Sequence, residues 1–448
     1  TLFRSDPRAR NQIATGGVDV AQPSFELAGP NHLLQASDFP LHALADPNDR
    51  GSAVLRSVDD VVSSQGMKLA RFEGADRGAS QDRSSPLPDP VHQLHGANLR
   101  RVEPRNTPTV INAAFARRSF WDGRADLVFN GVNEHGARDA EARVVRADLP
   151  HAPSFVQVRI EPGAMASQAV APIGSDFEMS FRGRRFLDAG RRLASAIPLA
   201  KQKVAWDDSA LRGLSASTPF QQRAGLLMRY ETLIRAAFHP RWWNSTKIVH
   251  VAEDGSRSLR PHPQRALRDD EYTVIEYNFS LFFGLSIQLY ENTLISDDAP
   301  IDRYFEGQSG ALSPAQLRGL ALFTSQTAPT ACSACHAGAE FTNASLRILQ
   351  GAEGEPGEIV ERMLNGECET VLYDQSFYNI GVRPTFEDIG LGARDPFGNP
   401  LSVSELLSMD PAQVPSPELL QQSYPNIANP PIARGERTST LGAFKVPS

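Results

Sequence analysis

Two thiols and an imidazole sit together in Cys332-Ser333-Ala334-Cys335-His336. Thiols separated by two residues can each add across one of a pair of vinyl groups. A histidine placed next in the chain can then offer a ring nitrogen to the iron of the macrocycle that carries those groups. This is the attachment pattern of a c-type haem, with His336 as an axial iron ligand. Two other readings have requirements of their own. A tetrahedral zinc site wants a second ligand pair at suitable spacing, which Cys368 and the scattered histidines do not offer. A thioredoxin-like redox pair wants a strand–helix context. The chain has three cysteines in all, so a disulfide framework is not the right reading. Cys368, within Asn365-Gly366-Glu367-Cys368-Glu369, reads as a spare thiol in a polar turn, or as one half of a bond to a segment outside this sequence.

The elements that must position these groups are legible in part. Ser313 suits an N-cap and Pro314 a first helical turn, and Leu317, Leu320, Ala321 and Phe323 would give that helix an apolar face leading into the CSACH segment. The spacing predicts further helices roughly from Pro219 to Phe238 and from Glu271 to Leu294, the latter with Ile275, Phe279, Phe282, Ser286 and Leu289 near helical spacing. Thr107-Pro108 looks like another helix start, with Val110, Ala113 and Ala114 on one face. The first hundred residues are loop-rich, and residues 126–165 read as an insertion, charged and then irregular. Strand signals are weak and no internal repeat is visible. The fold class expected is mainly α with long loops.

At 448 residues the chain exceeds one ordinary core. Ser296-Asp297-Asp298-Ala299-Pro300 is the expected boundary, giving domains 1–299 and 300–448. A hydrophobic content of 41% with 22% charged residues is a soluble globular composition. A net charge of -7 without a long basic run argues against nucleic acid as a partner. The longest apolar run, Phe279 to Leu289, is interrupted by Ser280, Gly284, Ser286 and Gln288. It falls short of the ~20 residues needed to cross a membrane. The first residues, TLFRSDPRAR, lack the apolar stretch of a signal peptide.

Several segments together resemble the bacterial di-haem cytochrome c peroxidase family, whose superfamily includes the di-haem enzyme that matures methylamine dehydrogenase and haem-dependent rubber oxygenases. RNTPTVINAAF with SFWDGRA (Asn106 to Ala125) is similar to the family's N-terminal-domain signature. SQAVAPIGSDFEM (Ser167 to Met179) is similar to the segment lining the peroxide pocket. Pro300 to Phe323 resembles the run into the second haem domain. CSACHAGAEFTN and FYNIGV (Phe377 to Val382) resemble the second haem site, and GAFKVPS (Gly442 to Ser448) resembles the start of the closing segment. The family normally carries two CxxCH motifs, whereas this sequence has one, in the order of the second. The resemblance therefore implies a fragment, with a first motif just before Thr1 and a sixth-ligand segment after Ser448; a true single-haem relative is the alternative.

The resemblance implies two cytochrome c-like domains and roles for particular residues. Trp121 would lie between the two haems and assist electron transfer, where its other reading is a core aromatic. Asn106 would be a candidate calcium ligand, where it could equally cap a helix. Gln168, Pro172 and Glu178 would line the pocket over the N-terminal haem, with Glu178 moving a proton between peroxide oxygens; the plain reading of Glu178 is a solvated helix charge. His92 or His95 could serve as a mobile distal ligand or be a solvent-facing loop histidine. Met363 and Met409 match no motif and read as core or surface.

The function implied is reduction of hydrogen peroxide in the periplasm. Electrons would come from a small donor protein, a cytochrome c or cupredoxin, through haem c. A homodimer is among the expectations. The alternatives are an oxygenase or protein-modifying oxidant of the same superfamily, and a non-enzymatic electron-transfer cytochrome. The Gln168/Glu178 pair speaks against the last, because a carrier needs no proton-transfer group.

Overall fold

Among the described residues, short strands outnumber helices. The structure is a computed structural model that describes residues 12–15, 35–40, 42–49, 51–57, 60–63, 65–103, 105–325, 327, 332–350, 359–381, 385, 388–414 and 432–445. Among these residues are nine α-helices and nineteen strands, with 24% helical and 20% in strands or bridges. The expected mainly α class is thereby overturned: helix and strand are nearly balanced. The cause is local. Lys247–Val251 and Arg257–Pro261 pair around Asp254-Gly255, where Gly255 takes φ 82°, a left-handed conformation open to a residue without Cβ. Val360–Leu364 pairs with Thr370–Asp374 around residues 365–369. Strands of two to five residues show too little alternation to stand out from loop sequence.

The predicted helices fare unequally. Ser313 caps helix Pro314–Thr324, its Oγ accepting from the Gln316 N–H at 3.4 Å while Gln316 Oε1 accepts from the Ser313 N–H at 2.8 Å. The segment 271–294 begins as strand Glu271–Tyr272, then turns helical over Val274–Tyr277 and Phe279–Glu291. The segment 219–238 yields only Tyr230–Ala237, because Arg223–Ala224 pairs with Lys203–Val204 instead. No α-helix starts at Thr107-Pro108. Asn112 sits at φ 60°, which a helix cannot continue through. Its side-chain oxygen accepts from the Ser296 N–H at 2.8 Å and its own N–H donates to the Leu294 carbonyl at 2.9 Å.

The chain forms two units. The first comprises Thr1–Thr107, Val144–Val156 and Val170–Phe282, and the second Pro108–Arg143, Gln157–Ala169 and Phe283–Ser448. In the first, a three-stranded sheet places Lys247–Val251 between Arg257–Pro261 and Glu271–Tyr272. Val145, Val249, Tyr272, Val274 and Tyr277 form its buried cluster. The segment 126–165, read as irregular, contains a strand pair: Val144–Arg146 pairs with Ser154–Val156, and Val145 is fully buried. Asn278 stands in for a neighbouring strand there, accepting from the Val145 N–H at 2.8 Å and donating to its carbonyl at 2.7 Å. Backbone groups buried this deeply need such partners.

In the second unit Ile359, Val360, Leu372, Val403, Leu406 and Val414 pack together. Beside them lies buried Asp374, which accepts from Arg118 Nη1 at 2.7 Å, from the Ser402 hydroxyl at 2.7 Å, and from the N–H groups of Val403 and Ser404 at 2.7 and 2.8 Å. Arg118 also donates to the carbonyls of Gly123 and Leu401. Removing one member of a buried pair strands the other charge. Asp374→Ala should therefore cost about 3–5 kcal/mol of unfolding free energy, read as a lower urea midpoint at unchanged slope. A loss under about 1 kcal/mol would put this pair with exposed ones and contradict its role as a hub.

Candidate functional site

Helix Pro314–Thr324 precedes the CSACH segment, in which Cys332–Ala334 make one 3-10 turn. The Cys332 carbonyl accepts from the N–H groups of Cys335 and His336 at 3.2 and 2.9 Å. Both thiols are free, Cys332 half-buried and Cys335 exposed. The His336 ring is oriented from behind: Nδ1 lies 3.1 Å from the Phe341 carbonyl. A proton on Nδ1 satisfies that contact and leaves Nε2 with its lone pair, which is what an axial histidine needs. The loop reaches back because Gly338 and Phe341 both have positive φ, 76° and 52°. A Cβ on Gly338 would come within 2.4 Å of the Arg347 guanidinium. The Phe323 ring lies 6.2 Å from the His336 ring and 5.8 Å from that of Phe341.

This donor set fits a covalent haem: two free thiols, an imidazole held by a carbonyl, and aromatic neighbours. Among the described residues no group of three or more His, Cys, Asp or Glu could hold a metal ion. A helix, not a strand, precedes the turn, against the thioredoxin reading.

Trp121 is presented by a tight loop. Ser119 N–H donates to the Ala125 carbonyl at 2.8 Å, and Phe120 and Gly123 take φ 63° and 66°. A Cβ on Gly123 would meet Arg118 Nε and the Phe377 ring, each at 2.7 Å, so glycine is required by space as well as by φ. The Arg124 guanidinium covers the Phe120 ring at 4.0 Å. Trp121, Gln168 and the Gly338–Thr342 loop after His336 wall one cavity of about 810 Å³, together with Phe115, Phe305 and Lys445. Cys332, Cys335 and His336 are not among its lining residues. Gln168 lies in helix Ala164–Gly174, which contains Pro172. Proline has no N–H, so the Gln168 carbonyl lacks its ordinary helical donor.

Charges near this loop are set by burial and by arginines. Burial would raise the Asp126 carboxyl, but Arg117, Arg118 and Arg138 outweigh it and hold it at about 2. Burial, then the neighbouring Arg118 charge, pushes the Lys445 ammonium down to about 8. Nothing in the sequence pattern singles out Lys445, whose position depends on strand Phe444–Lys445 pairing with Phe377–Tyr378.

Glu178 belongs to the first unit, whereas Gln168 and Trp121 belong to the second. It is half-buried, and its N–H donates to Ser175 Oγ at 3.2 Å. The adjoining Phe177 ring lies under the Arg101 guanidinium at 4.2 Å and edge-on to the His92 ring at 5.9 Å. Asp89 accepts from Arg101 Nε at 2.8 Å. Burial would raise this carboxyl, but the hydrogen bonds from His92 and Arg101 hold it far below the usual range. His92 is thus packed, while His95 is exposed at the tip of a two-residue hairpin with φ 49°. Asn106 is exposed. Met363 lies in strand Val360–Leu364, and Met409 packs on the second core. Val382 and residues 446–448 of the resembling segments lie outside the described residues.

Cys368 is exposed at φ 62° in the loop after Val360–Leu364. Thioether formation would consume the thiols of Cys332 and Cys335 but not this one. The haem-loaded protein should therefore titrate one thiol per chain with a disulfide reagent under denaturing, non-reducing conditions. Three would argue against covalent attachment.

Residues 81–224 match the family model described as Di-haem cytochrome c peroxidase. No curated protein matches the chain, and no solved structure does. The CSACH segment, which carries the residue pattern of c-type haem attachment, lies outside the matched stretch. The matched stretch is about a third of the chain and contains two of the segments, Asn106 to Ala125 and Ser167 to Met179, whose motifs resemble the same family. Among the described residues no helix is long and apolar enough to cross a membrane.

Proposed function

We propose that this protein is a haem-dependent peroxidase that reduces hydrogen peroxide with electrons from a small donor protein in the periplasm. The observation that carries the reading is the family match over residues 81–224, which contains Trp121, Gln168 and Glu178. Cys332 and Cys335 would hold haem c by thioethers and His336 would ligate its iron; when bound, haem supplies electron storage and transfer. The chain's own groups do the rest. Phe341 fixes the imidazole through Nδ1. Trp121, held by the Ser119–Ala125 loop, offers an indole for electron passage. Glu178 would move a proton between the oxygens of peroxide, and Gln168 would offer its amide as a hydrogen-bond partner to peroxide.

Peroxide-dependent oxidation of a reduced small cytochrome c by the haem-loaded protein tests this directly. Turnover at catalytic protein concentrations supports it. Steady oxygen uptake with an organic substrate, and no peroxide turnover, would favour the oxygenase reading. Haem reduction without either activity would favour a plain electron carrier.

A further inference from the structure

We propose that Lys445 is the anion anchor of the cavity beside Trp121, where its ammonium binds a carboxylate that enters from the cavity. The geometry is fixed by the backbone. Lys445 N–H donates to the Trp121 carbonyl at 2.7 Å, and Lys445 pairs in register with Phe377. Its Nζ donates to the Arg118 carbonyl at 3.1 Å, which leaves two N–H groups to satisfy. The neighbouring cation offers no competition for an anion, because Arg118 is already paired with Asp374. Among the described residues no carboxylate forms an ion pair with Lys445, and it is the one cationic side chain in the cavity wall. Of the acidic residues there, Asp302 accepts from the Ala299 N–H and Glu340 pairs with Arg347. Asp297 and Glu306 also line the wall. An ammonium whose burial has lowered its pKa to about 8 gains from an anion brought alongside, since a nearby opposite charge favours the charged form.

The carboxylate has two sources. One is a propionate of the haem held by Cys332 and Cys335, which rests on the haem reading above; the other is a free organic acid. The haem-loaded wild type is compared with Lys445→Met and with Lys445→Arg, which keeps the charge. If a propionate is bound, Lys445→Met lowers the haem midpoint potential, because losing a nearby cation favours the ferric state, and Lys445→Arg restores it. If a free acid is bound, benzoate titrates the wild type saturably, and Lys445→Met weakens it on the order of tenfold or more, as loss of a charge-assisted hydrogen bond implies. The benzoate arm also runs on haem-free protein, by tryptophan fluorescence, so it survives failure of the haem reading. Acid–acetone extraction reports that failure separately. An unchanged potential together with unchanged benzoate affinity in Lys445→Met, or loss of both in Lys445→Arg, overturns the proposal.

Discussion

The double variant Cys332→Ala, Cys335→Ala should retain no covalently held haem. Thioether formation needs sulfur at both positions, and the third cysteine, Cys368, lies in a separate hairpin loop. Acid–acetone should leave the wild-type pigment with the protein and remove any pigment bound by the variant. Each single variant should keep one thioether at most, with the shifted pyridine haemochrome band of a remaining vinyl group. Retention of full covalent haem in the double variant would sink the assignment of the CSACH segment. His336→Ala should act differently: the thiols persist, but the iron loses the nitrogen that the Phe341 carbonyl orients.

Glu178→Gln in the haem-loaded enzyme should slow reaction with peroxide by roughly 10²–10⁴-fold, the contribution of a positioned general acid–base group. Haem content and donor affinity should stay unchanged, so the loss falls on the chemical step. Stopped-flow mixing of the reduced enzyme with peroxide gives the rate. The substitution removes the titrating group but keeps its size, and the Ser175 hydroxyl still accepts from the residue's N–H. An unchanged rate would reduce Glu178 to a structural residue and shift the balance toward an oxygenase or an electron carrier.

The family resemblance, which the match over residues 81–224 supports, was more legible than the fold class. The CSACH segment stands out because covalent attachment of a haem would fix both residue type and spacing. The Ser313-Pro314 helix start was legible for a similar reason: capping is written in adjacent residues. Hairpins were harder to see. Asp254-Gly255 is a turn signal in its own right, yet the flanking strands, Lys247–Val251 and Arg257–Pro261, carry polar residues on both faces and do not alternate cleanly. The helix expected from Thr107-Pro108 failed because the conformation of Asn112 answers to Leu294 and Ser296, which no local window contains. Lys445 was hidden in the same way: its burial and its place in the cavity wall depend on partners brought in from distant parts of the chain. The His336–Phe341 contact lies closer in sequence, but it depends on two positive-φ residues that composition alone does not reveal.

The Arg118–Asp374 pair spans 256 positions of the chain, and this has a consequence for the order of events at the ribosome. The first unit has all its segments once residue 282 has been made. The second cannot close its buried charge until Asp374 and the Ser402–Ser404 amides emerge. At ~5–20 residues per second, Arg118 waits roughly 13–50 s for its partner. During that interval residues 108–143 and 157–169 exist as nascent chain without most of the segments they pack against. The loop to be closed is long, so its entropy falls on the last step. A chaperone acting on this protein would find its substrate in those early segments of the second unit, and chains arrested before residue 374 should show them cut by protease while the first unit resists.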